Sequence, residues 1–421
     1  MPTHTEMTPR AAWMLILAAA AILMITMGAR LTSGLFMSPI NTSTGLGIAN
    51  ISFALAIGQF MWGASQPVFG AIADKYGSSK VIVLGALMLA AGLGLTPFVH
   101  SQSCLMLTMG FLSAAGAGAG SFSILIGATA QRLPPARRPF AAGFINAGGS
   151  FGQFVFAPLM QAMIGGVGWV VAMFTMAAAT LLTIPLAWPL RRGAGRTGGA
   201  SDAVVSAPAS TAPPGIGLGR QISLAMRDRS YLCLHAGFFT CGFHIAFLVT
   251  HLPGEVALCN LAPGVSGTAL GLIGLFNIAG SLCIGALATR YRMKSLLVAL
   301  YASRAVFIAL YLLAPKTALT FYLFAGALGF TWLATVPPTA GLVGKLFGLR
   351  YLSTLFGLTL LSHQIGGFFG AWLGGLSFVH FGDYRWMWYA DIVLALGAAL
   401  INLPIREAHV VRAPAATPVA A

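Results

Sequence analysis

The chain has 421 residues, of which 57% are hydrophobic and only 7% charged, and its mean hydropathy is +0.85. Water-soluble domains carry about 25% charged residues, so this composition cannot cover a water-facing surface and indicates an integral membrane protein. The net charge of +15 comes mostly from basic residues in short segments between apolar runs, where they act as topology determinants and not as a nucleic-acid footprint.

Apolar runs close to the roughly 20 residues that span a bilayer as helix recur along the chain. They lie at 12–40, 48–73, 80–99, 102–130, 138–164 and 167–190, then at 230–256, 265–289, 294–314, 318–344, 353–379 and 385–405. None alternates with period two, which argues against a β-barrel. The expected fold is an all-α membrane protein with twelve transmembrane helices. The first run follows Arg10 as a signal peptide would, but it continues to about residue 40 and reads as an uncleaved span.

Residues 191–229 separate the two sets of six. RRGAGRTGGASDAVVSAPASTAPPG reads as a flexible linker. The following GRQISLAMRDR mixes Ile222, Leu224 and Met226 with Arg220, Arg227 and Arg229, which suits a short helix lying on an anionic leaflet. The expected domains are a first bundle at 1–190, a linker at 191–229, and a second bundle with a short tail at 230–421. Of the 23 Lys and Arg, nineteen fall on one side of this map, Lys316 and Arg385 on the other, and Arg30 and Arg304 inside spans. That asymmetry predicts a cell (inner) membrane location with both termini cytoplasmic.

The two halves resemble each other. GAIADKYG at 70–77 aligns with GALATRYR at 285–292, 215 residues on, with four identities. At an offset of 214, Gly28 falls on Gly242, Pro39 on Pro253, Gly127 on Gly341 and Gly143 on Gly357. Both halves start and end on the same side, so the repeat is parallel, with its pseudo-twofold axis along the membrane normal.

The loop Gly70-Ala-Ile-Ala-Asp74-Lys75-Tyr-Gly77-Ser-Ser-Lys80 resembles the signature loop of the major facilitator superfamily. The resemblance implies two six-helix bundles around a central cavity lined by spans 1, 4, 7 and 10, opened alternately to each side by rocking. A carboxylate beside a helix N-terminus is favoured by the helix dipole, so Gly70, Asp74, Lys75, Gly77 and Lys80 are expected to form a conformational latch. Residues 114–159 resemble the monocarboxylate and oxalate/formate branch, through Gly116, Gly118 and Gly120, then Arg137-Arg138, then AGFINAGGSFGQFVFAPL. The drug/proton antiporter patterns are missing. Many carriers of the monocarboxylate branch hold the carboxylate with an arginine in span 8; here that span has Asn277 and Ser281 and no charge.

Ionisable groups inside a membrane are costly and mark function by default. Arg30 lies about 27 Å along span 1 at 1.5 Å per residue, and the spans expected to line the cavity offer it no carboxylate. A permanently charged planar fork matches a carboxylate in two hydrogen bonds, so Arg30 is the leading anion-binding residue; the alternative is an arginine snorkelling to the interface. At the repeat offset Arg30 falls on His244, which would then face it across the pseudo-twofold axis. Histidine titrates near neutrality, so His244, His251 and His363 are proton-coupling candidates, with His235 a further histidine in span 7. Gln59, Asn146, Asn277, Thr335 and Gln364 are polar candidates for the substrate site, or interhelical glue. Arg304 and Asp391, in the peripheral spans 9 and 12, are expected to form a structural ion pair. Gly148, Gly149 and Gly152, and again Gly366, Gly370 and Gly374, form small-residue stripes that permit close helix contact.

The five cysteines, Cys104, Cys233, Cys241, Cys259 and Cys283, show no CxxC pair and read as small core residues, with no disulfide framework and no metal site. No HExxH, close carboxylate pair or nucleotide-binding loop is present, so neither catalysis nor direct ATP coupling is expected, and no cofactor. The sequence therefore predicts a monomeric secondary carrier for a small organic anion, coupled to protons. The competing readings are a carrier or exporter of a neutral or cationic solute and, from another class, an intramembrane enzyme.

Overall fold

The computed structural model describes residues 9–130, 132–133, 138–191, 218–288, 290–348 and 352–407. Helix α1 runs Pro9–Leu31 and continues through a 3-10 turn, Ser33–Phe36, into Met37–Thr44. α2 spans Ile48–Tyr76 and α3 Ser78–Leu95. α4 is assembled from Gln102–Leu105, a π-helical stretch Met106–Ser113, Ala114–Ala119 and Phe122–Ala130. α5 is Arg138–Val167, and α6 is Trp169–Leu181 with a further turn, Thr183–Leu186. In the second half, α7 is Arg229–Leu258, α8 Gly264–Leu287 and α9 Met293–Leu313. α10 comes in two pieces, Ala318–Thr331 and Val336–Phe347, followed by α11, Leu352–Phe381, and α12, Arg385–Asn402. A short helix, Leu218–Ala225, stands where the interfacial helix was expected. Linker residues 192–217 lie outside the described residues, as do the side chains of the latch candidates Asp74 and Lys75.

Ten of these helices are long and apolar enough to cross a bilayer. α11 and α12 complete the twelve; Ser362, His363 and Gln364 dilute the hydropathy of one, Arg385 and Asp391 that of the other. Leu84, Leu87, Val171, Phe174, Leu310, Leu323, Val393 and Leu400 stand exposed. A bilayer covers such a surface, whereas water would drive it to associate.

Packing within each half runs through glycine. A Cβ on Gly242 of α7 would lie 1.7 Å from the carbonyl oxygen of His363 on α11, and one on Gly366 would lie 2.0 Å from that of Phe239. No side chain fits, so the two backbones meet directly. α1 and α5 repeat the arrangement, with a Cβ on Gly152 falling 2.1 Å from the Met24 carbonyl oxygen. Gly152 and Gly366 are 214 residues apart, so the internal repeat of the sequence is also a repeat of packing.

The bundles touch each other along α2–α11 and α5–α8, and where α1 meets α7. Gly63 lies under Gln364 and Gly375 against Ser52; Gly271 faces the Phe154 carbonyl and Gly274 that of Ser150; Gly34 abuts the Val249 carbonyl. These contacts lie from mid-membrane toward the end holding the α1–α2, α5–α6, α7–α8 and α11–α12 turns. Toward the other end, Gly70, Gly127, Gly143, Gly285 and Gly357 would meet nothing within 4 Å if given a Cβ. Among the described residues, the contacts between the bundles thus gather toward one end.

Besides the short interruption of α6 at Leu182, three spans depart from uniform helices. α1 breaks where Gly34 crosses α7, α4 widens into a π segment, and α10 breaks across Trp332–Thr335. Hydropathy cannot reveal such breaks, because their apolar content is unchanged.

The Gly242 contact yields a direct check. Gly242→Ala should cost about 1–3 kcal/mol through overpacking and visibly lower the thermal midpoint of detergent-solubilised protein. Gly357→Ala, placed in open space, should leave the midpoint at or slightly above wild type. Equal midpoints for both variants would mean that the α7–α11 seam is not the tight contact described.

Candidate functional site

Arg30 stands at the last turn of the first piece of α1, just before the break. Its guanidinium donates from Nη2 to Gln59 Oε1 and lies over the Trp62 ring, 4.1 Å from the centroid. Gln59 and Trp62 are three residues apart on α2 and so share a face. The amide holds one nitrogen of the fork, and the indole face attracts the cation electrostatically. A guanidinium has five N–H donors, so most of its donor capacity remains unspent. Among the described residues Arg30 forms no ion pair.

The second bundle contributes from α11. The Gln364 side chain lies over Gly63, one turn along α2 from Gln59, and Gly367 faces the Gln59 Cβ at 3.6 Å from its own Cβ position. Gln364 Nε2 stands 3.3 Å from His363 Nδ1. Gln364 Oε1 and His363 Nε2 are buried without a protein hydrogen-bond partner, and the His363 ring packs 5.2 Å from that of Phe238. Arg30, Gln59 and Gln364, all expected from the sequence, thus gather at the junction of the bundles, while the neighbouring His363 ring turns toward Phe238 and Cys241 of α7. Trp62 was not expected, since its part depends on which face of α2 turns to Arg30. Gln153 of α5 was also missed: it is 1% exposed, lies under Gly274 of α8, and its Nε2 has no protein partner.

The remaining candidates go elsewhere. Asn277 accepts from the Leu333 backbone N–H at 3.0 Å and donates to Ser150 Oγ at 2.9 Å. It therefore satisfies a group freed by the α10 break and ties α8 to α5. Asn146 is half-buried on α5 and makes none of the contacts that build the Arg30 group. Thr335 pairs with the Cys241 thiol, Oγ1 to Sγ 3.4 Å. His251 Nε2 bonds the Ala371 carbonyl at 2.7 Å, and its ring fills the space beside Gly374. His235 bonds Ser362 Oγ at 2.6 Å in a groove lined by α7, α11 and α12.

Two expectations are corrected. His244 does not face Arg30 across the pseudo-twofold axis; it is 1% exposed inside the second bundle, with Nδ1 bonded to Asp391 Oδ2. The Arg304–Asp391 pair does not form either. Arg304 Nη2 donates instead to the carbonyls of Thr331 and Trp332, the latter at 2.6 Å. Those carbonyls lie at the C-terminal end of the first piece of α10, where the helix dipole is negative and no lipid group could satisfy them. The cation settles there, and Asp391 takes the histidine. A further acid lies within the spans: Glu255 is buried in α7 and accepts from the Tyr311 hydroxyl at 2.8 Å.

The reassigned partners separate in a double-mutant cycle. Arg304→Leu should cost about 1–3 kcal/mol for each carbonyl left unsatisfied, and Asp391→Asn should add to that loss nearly independently. A coupling of several kcal/mol between the two substitutions in thermal unfolding would restore the direct ion pair.

A model of the Major Facilitator Superfamily matches residues 16–371. The chain is 24% identical over 373 residues to the oxalate:formate antiporter of Oxalobacter formigenes, covering 88% of this chain and 86% of that one. It is 26% identical over 402 residues to monocarboxylate transporter 13 of Bos taurus, covering 93% and 89%. Its fold matches the crystal structure of a bacterial homolog of the human lysosomal transporter Spinster, in an inward-facing and unoccupied conformation, with a TM-score of 0.73 at 14% identity over 94% of this chain and 97% of that one. Two pseudo-symmetric six-helix bundles and a family match across both make the chain a transporter, not an enzyme, and it belongs to the Major Facilitator Superfamily.

Proposed function

We propose that the protein carries a small organic anion of the monocarboxylate type across the inner membrane by alternating access, coupled to protons. The observation that carries this reading is Arg30, a permanent cation at the bundle junction that has neutral partners and no acid. A carboxylate is the ligand whose two oxygens suit an unspent guanidinium fork. Bound there, it would touch Arg30, Gln59 and Trp62 of one bundle and Gln364 of the other. Such a ligand ties the two bundles together, which lets binding govern their relative motion. The relatives named for oxalate, formate and monocarboxylates agree with an anionic cargo.

His363 precedes Gln364 on α11, and a proton taken up close to the bound anion is attracted by it. By linkage, proton and anion then favour each other's binding. The charge map supports cytoplasmic termini, which puts the end where the bundles touch on the opposite side of the membrane. The bundles at 1–190 and 230–421 then rock as units joined by the 191–229 linker. No second subunit is needed for this cycle, and the carrier acts as a monomer.

Ligand-induced thermal stabilisation of the purified protein tests the reading with small mono- and dicarboxylates, neutral sugars and organic cations. A carboxylate at 100 times its Kd should add about 2.7 kcal/mol, more at lower pH. Arg30→Ala should abolish the shift, and Arg30→Lys should keep the charge but lose the bidentate geometry and most of the affinity. Stabilisation by sugars or cations that is indifferent to Arg30 would sink the anion reading.

A further inference from the structure

The second bundle holds a buried charge cluster that the anion site does not use. Asp391 of α12 is fully buried and His244 of α7 is 1% exposed; the two are joined through Oδ2 and Nδ1. The His244 ring also lies 6.0 Å from that of Trp332 on α10. The Trp332 carbonyl receives Arg304 of α9 and, at 3.7 Å, the thiol of Cys241. Asp391, Arg304, Cys241 and Tyr301 are the titratable groups around this histidine, and His363 of α11 reaches the same Cys241 thiol. The outer atoms of the pair, His244 Nε2 and Asp391 Oδ1, are buried without protein partners, so both ends retain hydrogen-bonding capacity.

We propose that His244 and Asp391 are the proton-binding site of the carrier, inside the second bundle and apart from the anion site. This rests on the proton-coupled reading above and gives the proton its address. The charge count supports it. With the imidazole neutral, Arg304 and Asp391 balance; one added proton makes the imidazole imidazolium and leaves the cluster with one positive charge. No bond other than the new N–H changes. Asp391, already bonded to Nδ1, is the counter-charge for the cationic ring.

The geometry also provides a route to the anion. His244 is two residues from Gly242, whose Cα hydrogens lie against the His363 backbone at the closest point of the α7–α11 seam. His363 and Gln364 follow one another at the anion site. A small shift of α7 when His244 changes charge therefore moves the backbone that presents the α11 half of that site. Coupling through a seam without intervening side chains has little slack to absorb it.

Two measurements test the assignment, one of them without any substrate. Infrared difference spectra of the wild-type protein between about pH 5 and pH 8 should contain a buried-carboxylate band that shifts as the imidazole takes its proton. The band should be absent from Asp391→Asn and insensitive to pH in His244→Gln. A wild-type spectrum matching both variants would overturn the proposal. In proteoliposomes, oxalate and lactate accumulation driven by a pH gradient should fall about tenfold in His244→Gln relative to exchange of the same anion at equal pH. An unchanged ratio would also overturn it. Absence of oxalate and lactate transport by the wild type would count against the anion reading, while the infrared titration still decides the proton site.

Discussion

Inside hydrocarbon, neither a carbonyl released from its helix nor a charged side chain has solvent to turn to. That constraint arranges the second bundle. Once α10 breaks at Thr331–Trp332, its free carbonyls need donors, and Arg304 supplies them. The freed Leu333 N–H needs an acceptor, and Asn277 supplies it. With Arg304 committed, Asp391 takes the basic side chain that remains within reach, His244. Two residues with the chemistry of substrate ligands are thus bound to maintaining the fold. A third, His244, is placed where a proton could be stored and no substrate could reach.

The first bundle leaves the opposite case. α1 ends its first piece at Leu31, and Arg30 in that last turn meets an amide and an indole but no acid. Glutamine and tryptophan orient the guanidinium without neutralising it. The charge that the second bundle consumes internally is kept available in the first, at the level where α11 crosses α2. The two halves share a repeat of packing, yet their equivalent positions 30 and 244 have diverged in purpose.

Glycine governs how these groups communicate. At Gly242, Gly366 and Gly152 the helices touch backbone to backbone, which fixes their separation, and His235 and His251 of α7 add side-chain hydrogen bonds to α11. Where the bundles face each other, the contacts among the described residues gather toward one end.

Much of this was legible in the residues. Each span announces itself because lipid demands about twenty apolar residues, and the boundaries of α2, α7, α8 and α9 fall within a few residues of those expected. Arg30, Gln59, His363 and Gln364 were identifiable because polar groups in such runs are rare. The partners were not. His244 and Asp391 are 147 residues apart, and nothing along either helix says which way it is rotated. Trp62 reads as one more aromatic residue until α2 presents it to Arg30. The sequence by itself determined the number of spans, the repeat and the inventory of charges, since these follow from the local cost of placing each residue in lipid. Only the tertiary structure decided which charge is neutralised and which keeps neutral partners, since that depends on helix rotation and on breaks in α1 and α10 that hydropathy does not register.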